Sequence, residues 1–299
     1  METKILITGS NGLLGQKLSD LYLEAGADFV ATSTGENRHP MSANMQYISL
    51  DITSKGDLSR VLENVKPTII INTAAMTNVD VCESEPEKCK ALNVTAVKNI
   101  AAWAKKNDAF VLHLGTDFIF DGENGPYSED DEPNPLSLYG QSKLDSENAL
   151  KESGCKFAVA RTILVYGLVA NMSRSNIVLW AKSMLEQGKE ITIVNDQFRS
   201  PTLAEDLAKG CYLIGEGKYE GIFNISGKEV KSVYSLVQEI ADVYGLDKSL
   251  IKPISTGTLS QAAPRPPKTG FNIAKAERIL GYQPHSLSEG LVLLKKQLE

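Results

Sequence analysis

Cysteine is scarce: Cys82, Cys89, Cys155 and Cys211 are the whole complement, and no two sit at a metal-ligand or disulfide-framework spacing. They read as buried, reduced thiols, which points to a cytoplasmic setting. Histidine is scarcer still. His39, His113 and His285 lie far apart in the chain, so neither a zinc site nor a Ser-His-Asp triad is laid out along it, and no metal is expected. No apolar run approaches the ~18 residues of a membrane span, and the N-terminus runs straight into a strand-like segment without a leader pattern, so no membrane role is expected. Basic blocks are also missing. Lys and Arg number 31 against 37 Asp and Glu, for a net charge of −6, which argues against nucleic acid as a partner. There is no internal repeat and no low-complexity tail.

What is present is ordinary globular composition over 299 residues, 42% of them hydrophobic. Lys4-Ile-Leu-Ile-Thr8 is an apolar run of strand length. Gly9-Ser-Asn-Gly-Leu-Leu-Gly15 follows, and Leu18, Leu21, Tyr22 and Ala25 continue at helical spacing up to Gly26. Strand, glycine turn and helix thus come in the order that a dinucleotide site requires. Glycines let the backbone approach a pyrophosphate, and the helix N-terminus offers unpaired N–H groups and partial positive charge. Gly9, Asn11, Gly12, Leu13, Leu14 and Gly15 are therefore cofactor-binding candidates. The spacing is Gly-x-x-Gly-x-x-Gly, with two residues between each pair of glycines.

The alternation continues. Phe29–Thr32, Gln46–Leu50, Thr68–Asn72, Ala109–Leu114 and Phe157–Thr162 read as strands, and the segments 54–64 and 86–106 as helices between them. Strands and helices alternating at this spacing predict an α/β fold of Rossmann type, with a doubly wound parallel sheet. After Gly167 the pattern loosens into shorter pieces, including a proline-rich loop over 261–267. The expected division is a nucleotide-binding domain over residues 1–168, to which 200–224 return. A smaller, discontinuous C-terminal substrate-binding region takes up 169–199 and 225–299. Ligands gather at the carboxyl ends of such strands, where Gly9, Asp51, Asn72, Thr116 and the 163–167 segment all fall.

Tyr139-Gly-Gln-Ser-Lys143 opens a further helix, behind the acidic, proline-bearing run Asp130–Pro135. Tyrosine and lysine four apart share one helix face. An ammonium beside a phenol is expected to lower the phenol's pKa from about 10, which makes it a better proton donor and acceptor near neutral pH.

Together the motifs resemble the extended short-chain dehydrogenase/reductases. The branch they look most like is dTDP-4-dehydrorhamnose reductase, through Asn72-Thr-Ala-Ala-Met-Thr-Asn-Val-Asp80, Glu83-Ser-Glu-Pro86, Leu92-Asn93, Thr116-Asp-Phe-Ile-Phe-Asp-Gly122, Pro135-Leu-Ser-Leu-Tyr-Gly-Gln-Ser-Lys143, Arg161-Thr-x-x-Val-Tyr-Gly167 and Ser200-Pro-Thr202. The resemblance implies hydride transfer from NADPH, with NADH possible, to a ketone on a nucleotide-linked 4-keto-6-deoxysugar. Tyr139 is then the general acid, Thr116 a donor to the same oxygen, Lys143 a partner of phenol and ribose, and Asn93 the holder of a relay water. Asp51 with Ile52 is expected at the adenine, Ala74 and Ala75 against the cofactor, and Ser33, Thr34 and Arg38 at a 2′-phosphate. Thr77, Phe118, Leu164, Arg199 and Arg265 are the substrate candidates, the two arginines for a diphosphate.

The chain also departs from the pattern. Phe118 stands for a usual tyrosine, Leu164 for a tryptophan, Arg199 for a glycine and Gly115 for a serine, which leaves the identity of the sugar open. A homodimer is the implied assembly. The rival reading is a non-catalytic, NADP-binding regulatory protein, because the regulatory subunit of methionine adenosyltransferase also looks like this branch.

Overall fold

The computed structural model describes residues 3–172, 175–259 and 262–299; Gln261 of the proline-rich loop lies outside them. Six strands of the main sheet come in chain order up to Thr162: β1 (Ile5–Thr8), β2 (Phe29–Ser33), β3 (Gln46–Ser49), β4 (Ile69–Asn72), β5 (Phe110–Thr116) and β6 (Lys156–Thr162). The segment Gly221–Asn224 adds a seventh beside β6, in the spatial order 221–224, β6, β5, β4, β1, β2, β3. Every pairing in this sheet is parallel. The chain therefore winds outward from β1 to β3, returns, and winds the other way from β4. That reversal opens a crevice between the carboxyl ends of β1 and β4.

The central strands β1 and β4 are buried at every position because both faces are covered, and side chains alternate between the two. Ile5 and Ile7 of β1, Ile69 and Ile71 of β4, and Phe110 and Leu112 of β5 enter one core. Helices α1 (Leu13–Glu24) and, from the second half of the chain, Ala204–Gly217 close that face. Leu6, Ile70 and Val111 point the other way, into a core shared with α2 (Lys55–Val65) and the long helical segment before β5.

That segment is read from sequence as one helix over 86–106. A short helix α3 (Val79–Ser84) precedes it, and the segment itself is helical throughout, as α4 (Pro86–Lys90), a single π turn over Ala91–Thr95, and α5 (Ala96–Asn107). A π turn inserts an extra residue into the helical ladder and is frequent at functional sites; here it contains Asn93. Helix α6 (Leu138–Ser153) carries Tyr139 and Lys143. A third, smaller core gathers Val178, Leu185, Leu236, Ile240, Leu291 and Leu294 around the paired strands Ile191–Val194 and Ile251–Ile254. Ile273, Ala276 and Leu280 pack with the first core instead. Among the described residues no helix is long and apolar enough to cross a membrane.

Candidate active site

A cleft of about 740 Å³ opens at the carboxyl ends of β1, β4, β5 and β6. Its floor is the glycine turn. Gly9 has φ +68°, and a Cβ there would lie 2.8 Å from the backbone nitrogen of Ala74, in the loop after β4. A Cβ on Gly15 would lie 2.4 Å from the Gly9 carbonyl oxygen. Only glycine allows these backbones to come so close. The N-cap of α1 is Gly12, which has no side chain to bond the first-turn N–H groups, and the buried Ser10 hydroxyl has no partner among the described residues. This chemistry suits the pyrophosphate of a dinucleotide.

Gly9, Asn11, Gly12, Leu13, Leu14, Gly15 and Ala75 line the cleft. Asn11 also ties the glycine turn to the loop after β2: its Nδ2 donates to the Glu36 carbonyl at 2.8 Å, and its Oδ1 accepts from the Arg38 backbone N–H at 2.9 Å. Ser33 ends β2, Thr34 and Arg38 follow on that loop, and none of the three lines the cleft. Asp51 is exposed and folds its carboxylate onto the N–H and hydroxyl of Thr53 at 2.9 and 2.7 Å, while Ile52 is buried beneath it. Ala74 does not line the cleft; its N–H faces the Thr8 hydroxyl at 3.4 Å.

The reactive wall is built where α6 meets the end of β5. Ser137 caps the helix, its Oγ accepting from the Gly140 N–H at 3.1 Å. A Cβ on Gly140 would lie 2.2 Å from the Phe118 carbonyl oxygen, so glycine lets the first turn of α6 rest directly on the turn after Thr116. This close approach brings the Tyr139 phenol beside the Thr116 hydroxyl, which works to lower the phenol's pKa. Lys143 follows one helical turn later, and all three line the cleft. Asn93 is buried below them. Its Oδ1 accepts from the Met76 N–H at 2.8 Å, and its Nδ2 donates to the Met76 carbonyl and to Ser142 Oγ, both at 3.0 Å. The amide is thereby spent on fastening the loop after β4 to α6.

The electrostatics differ from the sequence expectation in one respect. Tyr139 is held above the ordinary phenol range, not below it. Burial is the largest cause, the Asp117 carboxylate adds to it, and the Thr116 hydroxyl opposes. The Lys143 ammonium lies 3.3 Å from His113 Nε2. Lys143 is itself pushed down to about 8 by burial, against the opposing charge of Glu147.

Phe118, Leu164, Thr77, Arg199 and Arg265 all line the cleft. The Phe118 ring meets Tyr139 edge-on at 5.6 Å and carries the Arg199 guanidinium 6.0 Å above its centroid. Leu164 has φ +40°, a left-handed conformation that costs a branched residue energy and is held here by its surroundings. Both arginines are heavily engaged. Arg199 donates to the carbonyls of Phe198, Pro266 and Pro267 at 2.7, 2.7 and 3.2 Å, and its Nε lies 3.8 Å from Asp117. Arg265 forks onto Asp80 at 2.7 and 3.2 Å. Asp117 is a cleft residue that sequence reasoning passed over. It is buried, its carboxyl is pushed up by burial against the pull of Arg199, and it accepts from Thr269. Its place directly after Thr116 in the quoted motif was the available signal. Among the described residues no cluster of His, Cys, Asp and Glu is arranged to hold a metal ion.

Known proteins share this architecture. Methionine adenosyltransferase 2 subunit beta of Xenopus laevis is 31% identical over 281 residues, spanning 92% of this chain and 82% of that protein. The probable low-salt glycan biosynthesis reductase Agl14 of Haloferax volcanii is 30% identical over 293 residues, spanning 97% of this chain and 96% of that protein. The crystal structure of dTDP-4-dehydrorhamnose reductase from Bacillus anthracis in complex with NADP superposes with a TM-score of 0.83 at 27% identity, covering 99% of this chain and 100% of that one. With residues 3–299 matching it, the chain belongs to the family described as the RmlD substrate binding domain, of the extended short-chain dehydrogenase/reductase type.

Proposed function

We propose that this chain reduces the ketone of a nucleotide-linked 4-keto-6-deoxysugar, with NADPH as the preferred reductant and NADH as an alternative. The observation that carries this reading is the convergence of Thr116, Tyr139 and Lys143 on one cleft whose floor is the glycine turn. A solved relative described with NADP and a relative named as a glycan biosynthesis reductase support it. The bound nicotinamide supplies the hydride that goes to the carbonyl carbon. Tyr139 gives its phenolic proton to the carbonyl oxygen, so that the ketone becomes an alcohol, and it is reprotonated from solvent. Thr116, at the end of β5, donates to the same oxygen as charge develops there. Lys143 stabilises the phenolate that Tyr139 leaves behind. Asp117 and Arg199 brace the sugar end of the wall.

The likeness to a methionine adenosyltransferase subunit favours one second reading, a cofactor-binding partner protein without turnover. NADPH oxidation by the isolated protein over a panel of keto-sugar nucleotides separates the two. Turnover with at least one substrate is expected. NADPH binding with no oxidation across the panel would leave the partner reading in its place.

Two substitutions test the specificity of the site. Phe118 faces the cleft with no hydroxyl to offer, and a pocket that lacks a donor discriminates weakly against an added hydroxyl. Phe118→Tyr is therefore expected to change the ratios of kcat/KM among keto-sugar nucleotides while NADPH affinity stays put. Identical rankings and ratios in the two proteins would remove Phe118 from the sugar pocket. Arg38 stands on the loop that Asn11 holds beside the glycine turn. Arg38→Ala is expected to weaken NADPH by roughly tenfold and leave NADH nearly untouched, since a charge-assisted hydrogen bond contributes about 1.5–3 kcal/mol. Equal losses for both coenzymes would place Arg38 away from the 2′-phosphate.

A further inference from the structure

Directly beneath Lys143 a buried histidine sits in a chain of hydrogen bonds that the mechanism above does not use. His113 is in the middle of β5, its Nε2 lies 3.3 Å from Lys143 Nζ and 2.9 Å from Ser146 Oγ, and its Nδ1 lies 3.0 Å from the Nδ2 of Asn72 at the end of β4. Which ring nitrogen bears the proton follows from counting donors and acceptors. The Thr8 hydroxyl donates to Asn72 Oδ1, which leaves Asn72 Nδ2 to donate to His113 Nδ1. Reversing the amide would turn its NH₂ group onto the Thr8 oxygen, which already faces the Ala74 N–H, and leave the Thr8 proton with no acceptor in this chain of contacts. Nδ1 is thus an acceptor, and in the neutral ring the proton is on Nε2. The Ser146 hydroxyl spends its own proton on the Lys143 carbonyl at 2.6 Å, so it can accept from Nε2–H.

We propose that Asn72 locks His113 as its Nε2–H tautomer, and that this tautomer denies Lys143 a buried acceptor and turns its ammonium hydrogens towards the cleft. His113 is thus a positioning residue for Lys143, an inference that rests on reading Lys143 as part of the reductase site. The ring facing the ammonium is an N–H group and not a lone pair, so it disfavours the charged lysine and adds to burial. Burial and the nearby lysine hold His113 itself well below its ordinary range, which keeps the ring neutral at working pH. The other groups facing Lys143 are Cys89 from α4, and Tyr139 and Glu147 on its own helix; Glu147 is neutralised by Arg161 of β6.

Two measurements test this. Nitrogen-15 spectra of the wild-type protein between pH 6 and 9 report the tautomer without any need for turnover. With three histidines in the chain, each resonance is assigned by its loss on substitution. A protonated Nε2 and a bare Nδ1 at His113 are expected; a proton on Nδ1, or on both nitrogens, would overturn the proposal. The second measurement is the alkaline limb of kcat for NADPH-dependent reduction, which falls as Lys143 loses its proton. Asn72→Asp accepts from Nδ1–H, and Asn72→Leu releases it. Either change frees Nε2 to accept from the ammonium and should move the limb up by about one pH unit, because a hydrogen bond to the charged form favours it. A purely structural role would lower activity without moving the limb, and an unmoved limb in both folded variants refutes the proposal. If either variant fails to fold, the wild-type tautomer still decides. Failure of the reductase reading would show as an absence of turnover beside an unchanged tautomer.

Discussion

Tyr139→Phe is expected to lose about 10²–10⁴ of turnover while NADPH still binds, the usual contribution of a positioned general acid. The substitution removes one oxygen and keeps the ring. That ring packs with Cys82 and Cys89 and meets Phe118 edge-on, so the wall of the cleft keeps its shape. Thr116 keeps its own bonds, donating to Asp117 at 3.2 Å and accepting from the Phe118 N–H at 3.4 Å. Because burial holds the phenol above its ordinary range, Tyr139 stays protonated through neutral pH and acts as a donor. The group that titrates within reach of assay is Lys143, near 8, so the wild-type rate should decline as pH rises through that value. Steady-state kinetics and a fluorescence titration with NADPH check both halves of the expectation. Wild-type turnover in the variant would remove Tyr139 from the chemistry.

The elements that the sequence makes legible are those written locally. Apolar runs such as Ile69–Asn72 are strands buried on both faces, and glycines at 9, 12 and 15 mark a turn whose conformation and close approaches exclude larger residues. Tyr139 and Lys143 share a helix face by spacing alone. What stays hidden depends on partners brought together by topology. His113 reads as a stray polar residue in an apolar strand until β4 and α6 are placed on either side of it. Arg199 reads as a free cation until the 266–267 backbone closes over its guanidinium. The π turn over Ala91–Thr95 leaves no pattern in its apolar residues, since one added residue in a long amphipathic run barely disturbs the period. The direction of the Tyr139 shift is set by how deeply the phenol is buried, which spacing along a helix does not reveal.

The largest stability effect is expected one turn beyond Lys143. Glu147 and Arg161 form a bidentate pair, Nε to Oε1 at 3.0 Å and NH2 to Oε2 at 2.8 Å, with both side chains removed from water. Arg161 also donates to the Glu129 carbonyl at 3.1 Å and lies 5.5 Å over the Phe120 ring. The pair fills the space beside Gly115, where a Cβ would come within 2.8 Å of Arg161 Cγ and 3.0 Å of Glu147 Oε1. A side chain at position 115 would have to displace one partner or the other. Removing one partner strands a buried charge, so Glu147→Ala should cost about 3–5 kcal/mol of unfolding free energy. Replacing both partners with apolar side chains, as in Glu147→Leu with Arg161→Met, should recover most of that loss, because a buried pair balances its own desolvation only narrowly. The same carboxylate supports the Lys143 ammonium, so Glu147→Ala should also move the alkaline limb of kcat down, opposite to the Asn72 variants. Chemical denaturation of Glu147→Leu, Arg161→Met and the double variant yields the coupling between the partners. A single-variant loss below about 1 kcal/mol, in the range of exposed pairs, would show that the interior tolerates a lone guanidinium and that the pair does not hold β6 to α6.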